Sequence, residues 1–192
     1  MNPFISVAVL LIRVIFDCYI VILLLRLLLQ KWRADWFNPI SQFIVRCTEK
    51  PLKPFQKIVP GFRGFDLSIV LLALLLQLAE VLLLWWINTG SFPRVLGVLM
   101  MTIGELASNF IYIYIYAIVI DAIFSWFPAL QAHALAHITR LIANPVLMLV
   151  RRWIPFVAGI DISPILALLF FTIINLLLVQ PLVHFGMQLG LY

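Results

Sequence analysis

Four long apolar runs alternate with shorter polar stretches along the chain. The first covers residues 4–29 and is interrupted only by Arg13, Asp17 and Arg26. The second covers 69–87, the third covers 96–127 with Glu105 and Asn109 early in it, and the fourth covers 165–183. A bilayer core about 30 Å thick asks for about 20 mostly apolar residues of a helix, and a longer run can tilt. The pattern therefore predicts four transmembrane helices. Residues 30–65 and 128–159 connect the two pairs, and the turn-rich Asn88-Thr89-Gly90-Ser91-Phe92-Pro93 separates them.

The same order of signals occurs twice, about 95 positions apart, with one copy recognisable from Asp17 and the other from Tyr112. Pro51, Pro60 and Asp66-Leu67-Ser68 precede one apolar run; Pro145, Pro155 and Asp161-Ile162-Ser163-Pro164 precede another. Six positions separate Pro60 from Asp66, and six separate Pro155 from Asp161. A fixed period of this kind is read before any fold class. The expectation is an all-α membrane protein of two tandem units, 1–90 and 91–192, each built as helix, connection, helix. Two spans per unit return the chain to its starting side. The units then face the same way, related by an axis along the membrane normal.

Composition fixes the solvent. Hydrophobic residues are 65% of the chain and charged residues 11%, far from a soluble domain. The net charge of +5 does not point to nucleic acid, because the basic residues cluster between apolar runs. Lys31, Arg33, Arg46, Lys50, Lys53, Lys57, Arg63, Arg140, Arg151 and Arg152 lie in the connections, and only Arg94 lies between the units. The positive-inside rule puts both connections in the cytoplasm and both termini outside it. The first apolar run reads as a retained helix, with no basic residue before Arg13. Cys18 and Cys47 form no motif.

The connections contain amphipathic helices. Asn38-Pro39 has the form of a cap followed by a first-turn proline. Ile40, Phe43, Ile44 and Cys47 recur at helical spacing in one connection, and Leu135, Ile138, Leu141 and Ile142 in the other. Such helices suit a headgroup boundary or the ends of the protein's own spans. Arg46, Lys50, Lys53, Lys57, Arg140, Arg151 and Arg152 are the candidate contacts for anionic lipid or a protein partner. A topology signal alone also accounts for them, and is the simpler reading. Ser68 and Ser163 are expected to cap the helices that follow.

The ordered string Arg26, Trp32, Asn38-Pro39, Thr48-Glu49-Lys50-Pro51, Pro54-Phe55, Pro60 and Asp66-Leu67-Ser68 resembles the signature of the YggT family. Ser125-Trp126-Phe127-Pro128, Asn144-Pro145, Arg151-Arg152, Pro155 and Asp161-Ile162-Ser163-Pro164 resemble it again. The resemblance implies a small multi-pass protein of the bacterial inner membrane, with a link to osmotic-stress tolerance and ion homeostasis. In plastid and cyanobacterial relatives it implies a link to cytochrome maturation or to the organisation of division and nucleoids. It supplies no catalytic residues.

The candidate chemistry lies inside the runs. Charged groups in a bilayer are costly and face the bundle interior. Arg13, Asp17, Arg26, Gln77, Glu80, Glu105, Asp121 and Asn175 form the expected intramembrane polar cluster. Arg26 and Asp121 are equivalent under the repeat, which predicts that they meet across an axis between the units. Arg13 and Asp17 have the spacing of a local pair, as do Glu105 and Asn109. Gln77 and Glu80 align with Thr172 and Asn175, which predicts a second polar layer. These groups are either stabilising pairs or parts of an ion or proton path. His133 and His137 have a metal-pair spacing but no third ligand in sequence, so no metal site is expected. No P-loop, nucleophile elbow or dinucleotide turn is present. The reading is a non-enzymatic scaffold or assembly factor without a cofactor. The alternative is an ion-conducting or transport protein, assembled as a homo-oligomer because four spans make a thin bundle.

Overall fold

The computed structural model describes residues 3–59, 66–153 and 161–191. Helix α1 is Pro3–Lys31, α2 Pro39–Ile58, α3 Leu67–Thr89, α4 Val95–Trp126 and α5 Ala134–Trp153. A last helix runs from Ser163 to Leu191 as α6 (Ser163–Ile174), a π-helical turn (Asn175–Val179) and α7 (Gln180–Leu191). There is no strand among the described residues. Five helices are long and apolar enough to cross a membrane by length and composition: α1, α3, α4, α5 and the continuous α6–α7 helix. Four were expected. The addition is α5, the shortest of the five, which the sequence pattern assigned to a connection.

Local chemistry sets the helix ends. Asn38 Oδ1 accepts the Ile40 amide at 2.9 Å, and Pro39 occupies the first turn, where a missing N–H costs nothing. The carboxylate of Asp66, and not Ser68, caps α3, and that of Asp161, one residue before the cap position, takes the first amide of α6. Asp66 Oδ1 accepts the Ser68 amide at 3.1 Å, and Asp161 Oδ1 accepts the Ser163 amide at 2.9 Å. The Ser68 hydroxyl instead donates to the Val59 carbonyl at 2.8 Å, tying the end of α2 to the start of α3. Gly90, at φ 69°, closes α3 in a conformation that other residues adopt at a cost.

The fourth apolar run does not stop at Val183. Pro181 has no N–H to donate, and its ring would crowd the preceding turn of an α-helix. The chain widens before it: the Gln180 amide bonds the Asn175 carbonyl, five residues back. With the proline absorbed in this way, the helix continues to Leu191.

An apolar core fills the half of the bundle near the connections. It includes Ile20, Leu23, Leu24 and Leu27 of α1, Leu52 of α2, Ile69 and Ala73 of α3, Ile113 and Ala117 of α4, and Ile142 of α5. In the other half α4 lies directly on α7. Gly97 and Gly104 on α4 meet Gly186, Gly190 and Val183, so close that the backbones touch. Small residues permit this approach where lipid provides no hydrophobic drive between helices. Large apolar side chains such as Leu10, Ile15, Leu169, Leu177 and Leu178 are more than half exposed on the outer faces of the long helices. That surface suits hydrocarbon, not water.

Candidate intramembrane site

The polar side chains of α1, α3 and α4 meet halfway along these helices. Gln77 and Glu80 lie one turn apart on α3 and are 1% and 3% exposed, so they require partners. Gln77 Nε2 donates to Glu80 Oε2 at 2.9 Å. The Asn109 amide of α4 lies between the other two helices. Its Nδ2 donates to Asp17 Oδ1 of α1 at 3.1 Å and to Gln77 Oε1 at 3.2 Å. Asp17, Asn109, Gln77 and Glu80 thus form one hydrogen-bonded chain across three helices.

Open space adjoins this chain. A cavity of about 310 Å³ is lined by Arg13, Asp17, Glu80, Glu105, Ser108 and Asn109, among others. A second, of about 320 Å³, shares Arg13, Glu80 and Glu105 with the first. It runs past Trp85 to Asn88 and Thr89 at the Gly90 end of the bundle. A third, of about 710 Å³, lies between α4 and α7 and is lined by Glu105, Ser108, Asn175, Gln180 and His184 among others. Glu105 borders all three. Toward the connections the space ends at the apolar core described above.

Of the expected cluster, Arg13, Asp17, Gln77, Glu80 and Glu105 converge here. Asn175 is buried on the far side of α4, beside the third cavity. The second polar layer, pairing Gln77 and Glu80 with Thr172 and Asn175, is not formed. Gln77 bonds Asn109, whereas the Thr172 hydroxyl donates to its own helix at Leu168 O, 2.8 Å away. The local pairs are replaced as well: Asp17 accepts from Asn109 and not from Arg13, and Asn109 faces α1 and α3 instead of Glu105. Arg13 has no ion pair among the described residues.

Arg26 and Asp121 do not pair. Arg26 Nη1 donates to Thr48 Oγ1 at 2.7 Å and to Val45 O at 3.3 Å, both on α2. Asp121 faces Arg140 of α5, with Nε 3.5 Å from Oδ1. Each side chain turns to the helix that follows, α2 or α5, which supplies the nearer partner. Tyr19 acts similarly. Pro51 cannot donate to the Cys47 carbonyl one turn earlier, and the Tyr19 hydroxyl takes that acceptor at 3.3 Å.

Several contacts occur twice, 95 positions apart. Arg26 donates to Val45 O, and 95 positions on Asp121 forms an ion pair with Arg140. Gln56 donates to Asp66 at 2.7 Å, and Arg151 donates to Asp161 at 2.6 and 3.1 Å. Asn38 and His133 each accept the amide two residues on. His133 is therefore a cap, and no three His, Cys, Asp or Glu side chains among the described residues are gathered closely enough to ligate one metal ion.

The basic residues of the connections divide in two. Lys53 pairs with Glu49 at 3.1 Å, Arg140 with Asp121 and Arg151 with Asp161. Arg46, Lys50, Lys57 and Arg152 are exposed and make no ion pair among the described residues. Arg63 lies outside the described residues, as do Pro60 and Pro155. The sequence pattern missed two features. Asn109 as the hub of the site has no sequence signal beyond its place in an apolar run. The Gly186-x-x-x-Gly190 spacing in an apolar helix is a known signal for close helix packing.

Apolar outer faces around a buried polar chain define a helical membrane protein. Comparison with known proteins agrees. The CCB3/YggT family model matches residues 5–87 and again 100–182, the second match displaced by 95 positions at each end. The chain belongs to the CCB3/YggT family. It is 36% identical over 178 residues to an uncharacterized protein of Pseudomonas aeruginosa, covering 92% of this chain and 90% of the relative. It is 32% identical over 154 residues to an uncharacterized protein of Vibrio alginolyticus, covering 80% and 83%. The uncharacterized protein YggT of Escherichia coli K12 is 28% identical over 170 residues, 86% of each chain. No solved structure matches.

Proposed function

We propose that this is a non-enzymatic membrane protein that takes up protons or a small hydrated cation in a chamber reached from the Gly90 end of the bundle. The observation that carries the reading is a charge imbalance. Three carboxyl groups, Asp17, Glu80 and Glu105, border the chamber against one guanidinium, Arg13. Uncompensated charge in a low-dielectric interior costs several kcal/mol. Protons or bound cations make up the difference. The Asp17–Asn109–Gln77–Glu80 chain fixes the floor of the chamber, and the apolar core below it closes the way to the other side. A single copy in this conformation is a binding site. Conduction would require a second conformation or several copies.

The test is reconstitution of the purified protein in vesicles loaded with pH-, sodium- and potassium-sensitive dyes. Cation-dependent signals that vanish in Glu80→Gln and weaken in Asn109→Leu support the reading. Wild-type vesicles indistinguishable from empty ones in flux, together with no cation-dependent change in protein stability, overturn it.

The arrangement in the membrane is part of the proposal. The connections lie in the cytoplasm of a bacterial inner membrane, both termini lie outside it, and four helices cross. Here α5 runs along the boundary, because it carries Arg140, Arg151 and Arg152. The doubled family match and the contacts at matching spacing support a tandem duplication with parallel halves. Labelling of single cysteines placed at positions 91 and 152 from opposite sides tests this; labelling of both from one side refutes it.

A second reading rests on Arg46, Lys50, Lys57 and Arg152, exposed on the connecting helices. In it these residues recruit a cytosolic or membrane protein, and the chain acts as a scaffold or assembly factor. Stoichiometric copurification lost on their joint replacement by glutamine favours that reading. The link to osmotic tolerance and ion homeostasis implied by the family resemblance follows directly from the first reading and indirectly from the second.

A further inference from the structure

A separate cavity of about 370 Å³ lies where the end of α1 meets α5, lined by Trp32, His137, Arg140, Leu141, Asn144 and Met148 among others. His137, Arg140 and Asn144 are spaced three and four apart, so they share one face of α5. The opposite face of α5, with Ala136, Ile142, Ala143 and Leu147, is buried in the protein. No carboxylate is among the lining residues. The level is that of the helix ends. Trp32 directly follows the last residue of α1, and Asp121, the partner of Arg140, stands five positions before the end of α4.

The Arg140–Asp121 contact matters for what the cavity can hold. At 3.5 Å from one nitrogen, it is longer than the roughly 2.7–2.9 Å of a tight charge-assisted bond. Arg140 is 45% exposed, and a guanidinium carries five N–H donors. Asp121 therefore orients Arg140 while leaving most of its donors to a ligand. The side chains of His137 and Asn144 make no hydrogen bond among the described residues, and both can donate. Beside them Trp32, Leu141 and Met148 offer an apolar wall, with Met148 52% exposed.

We infer that this cavity binds the phosphate of an anionic phospholipid, with an acyl chain lying along Met148 and Leu141. The donors match a phosphodiester, and Arg140 matches its charge. The apolar wall has no use for an inorganic ion. A zwitterionic headgroup would bring a second positive charge toward Arg140 with no carboxylate to receive it.

The experiment titrates purified protein in neutral detergent with phosphatidylglycerol, phosphatidylcholine or inorganic phosphate and reads the melting temperature. Phosphatidylglycerol is expected to raise it at concentrations where the other two do not. Arg140→Gln and Asn144→Leu should each weaken apparent affinity about tenfold, the value of one hydrogen bond to a charged group. Arg33→Gln, an exposed charge outside the cavity, should leave it unchanged. Should Arg140→Gln fold poorly because Asp121 loses its partner, Asn144→Leu decides the matter. Phosphatidylglycerol with brominated chains should quench wild-type tryptophan fluorescence more than that of Trp32→Phe. Equal losses in Arg140→Gln and Arg33→Gln would reduce the effect to diffuse charge and overturn the site. Equal stabilisation by inorganic phosphate or by phosphatidylcholine overturns it as well.

Discussion

Replacing Gly97 by alanine tests whether the contact between α4 and α7 holds the chamber in shape. A methyl group at Gly97 would lie 2.6 Å from the Gly190 nitrogen, 2.7 Å from the Gly186 oxygen and 2.8 Å from the Gly190 Cα. All three are backbone atoms, which cannot swing aside. Unstrained contacts of this type need about 3.5 Å, so the two helices must separate by ~1 Å. Overpacking of this kind costs about 1–3 kcal/mol. Gly104→Ala is the internal control. Its methyl meets Val183 Cγ2 at 2.5 Å, but the nearest backbone atom is 3.4 Å away, so a side-chain adjustment relieves most of the clash. Gly90→Ala is the second control. It meets open space and is penalised only by its φ of 69°, roughly 1 kcal/mol, without moving α4 from α7. Equilibrium unfolding in mixed micelles gives the ranking, and spin labels on α4 and α7 give the displacement. Met101, Met187 and Leu191 line the chamber from these two helices, so the Gly97 variant should also widen it. Wild-type stability in Gly97→Ala, or a larger loss in Gly104→Ala than in Gly97→Ala, refutes the packing argument.

Other outcomes follow from the contacts. Exchange of charges, Arg26→Asp with Asp121→Arg, should not restore the stability lost in either single variant, because the two side chains contact different connecting helices; full rescue in a melting assay would contradict the structure. Thr48→Val should loosen α2 against α1, since it removes the 2.7 Å acceptor of Arg26, and faster amide exchange confined to α2 checks it. Burial raises the Asp161 carboxyl, but its bonds to Arg151 and Ser163 outweigh this and hold it below the ordinary carboxylate value. A lowered folded value means that the pair stabilises the fold at neutral pH. That contribution is lost as pH falls below about 4, the unfolded value. The gap in melting temperature between wild type and Asp161→Asn should therefore shrink on acidification; a gap independent of pH removes the pair from the account.

Much of this protein is determined by sequence alone. Apolar runs longer than the bilayer is thick leave the backbone no option but helix, because hydrocarbon supplies no hydrogen-bond partners. The bounds of α1, α3 and α4 follow from the pattern to within a few residues. So does the start of α2, where Asn38 and Pro39 act on backbone groups only two or three positions away. Those are local forces, and local forces are written in order along the chain. Side-chain partnership is different. Arg26 and Asp121 stand 95 positions apart in matching stretches of sequence, yet which neighbour each meets depends on how helices rotate about their axes, and α2 and α5 supply nearer partners than they offer each other. Asn109 gained its role because α1 and α3 both present acceptors to it at one depth. Pro181 lies inside the fourth run, and the packing of Gly186 and Gly190 on α4 accompanies the widened turn that carries the helix through it. Tertiary structure decided the site because a buried polar group satisfies itself with whatever partner lies within about 3 Å, and sequence spacing does not encode that distance between helices.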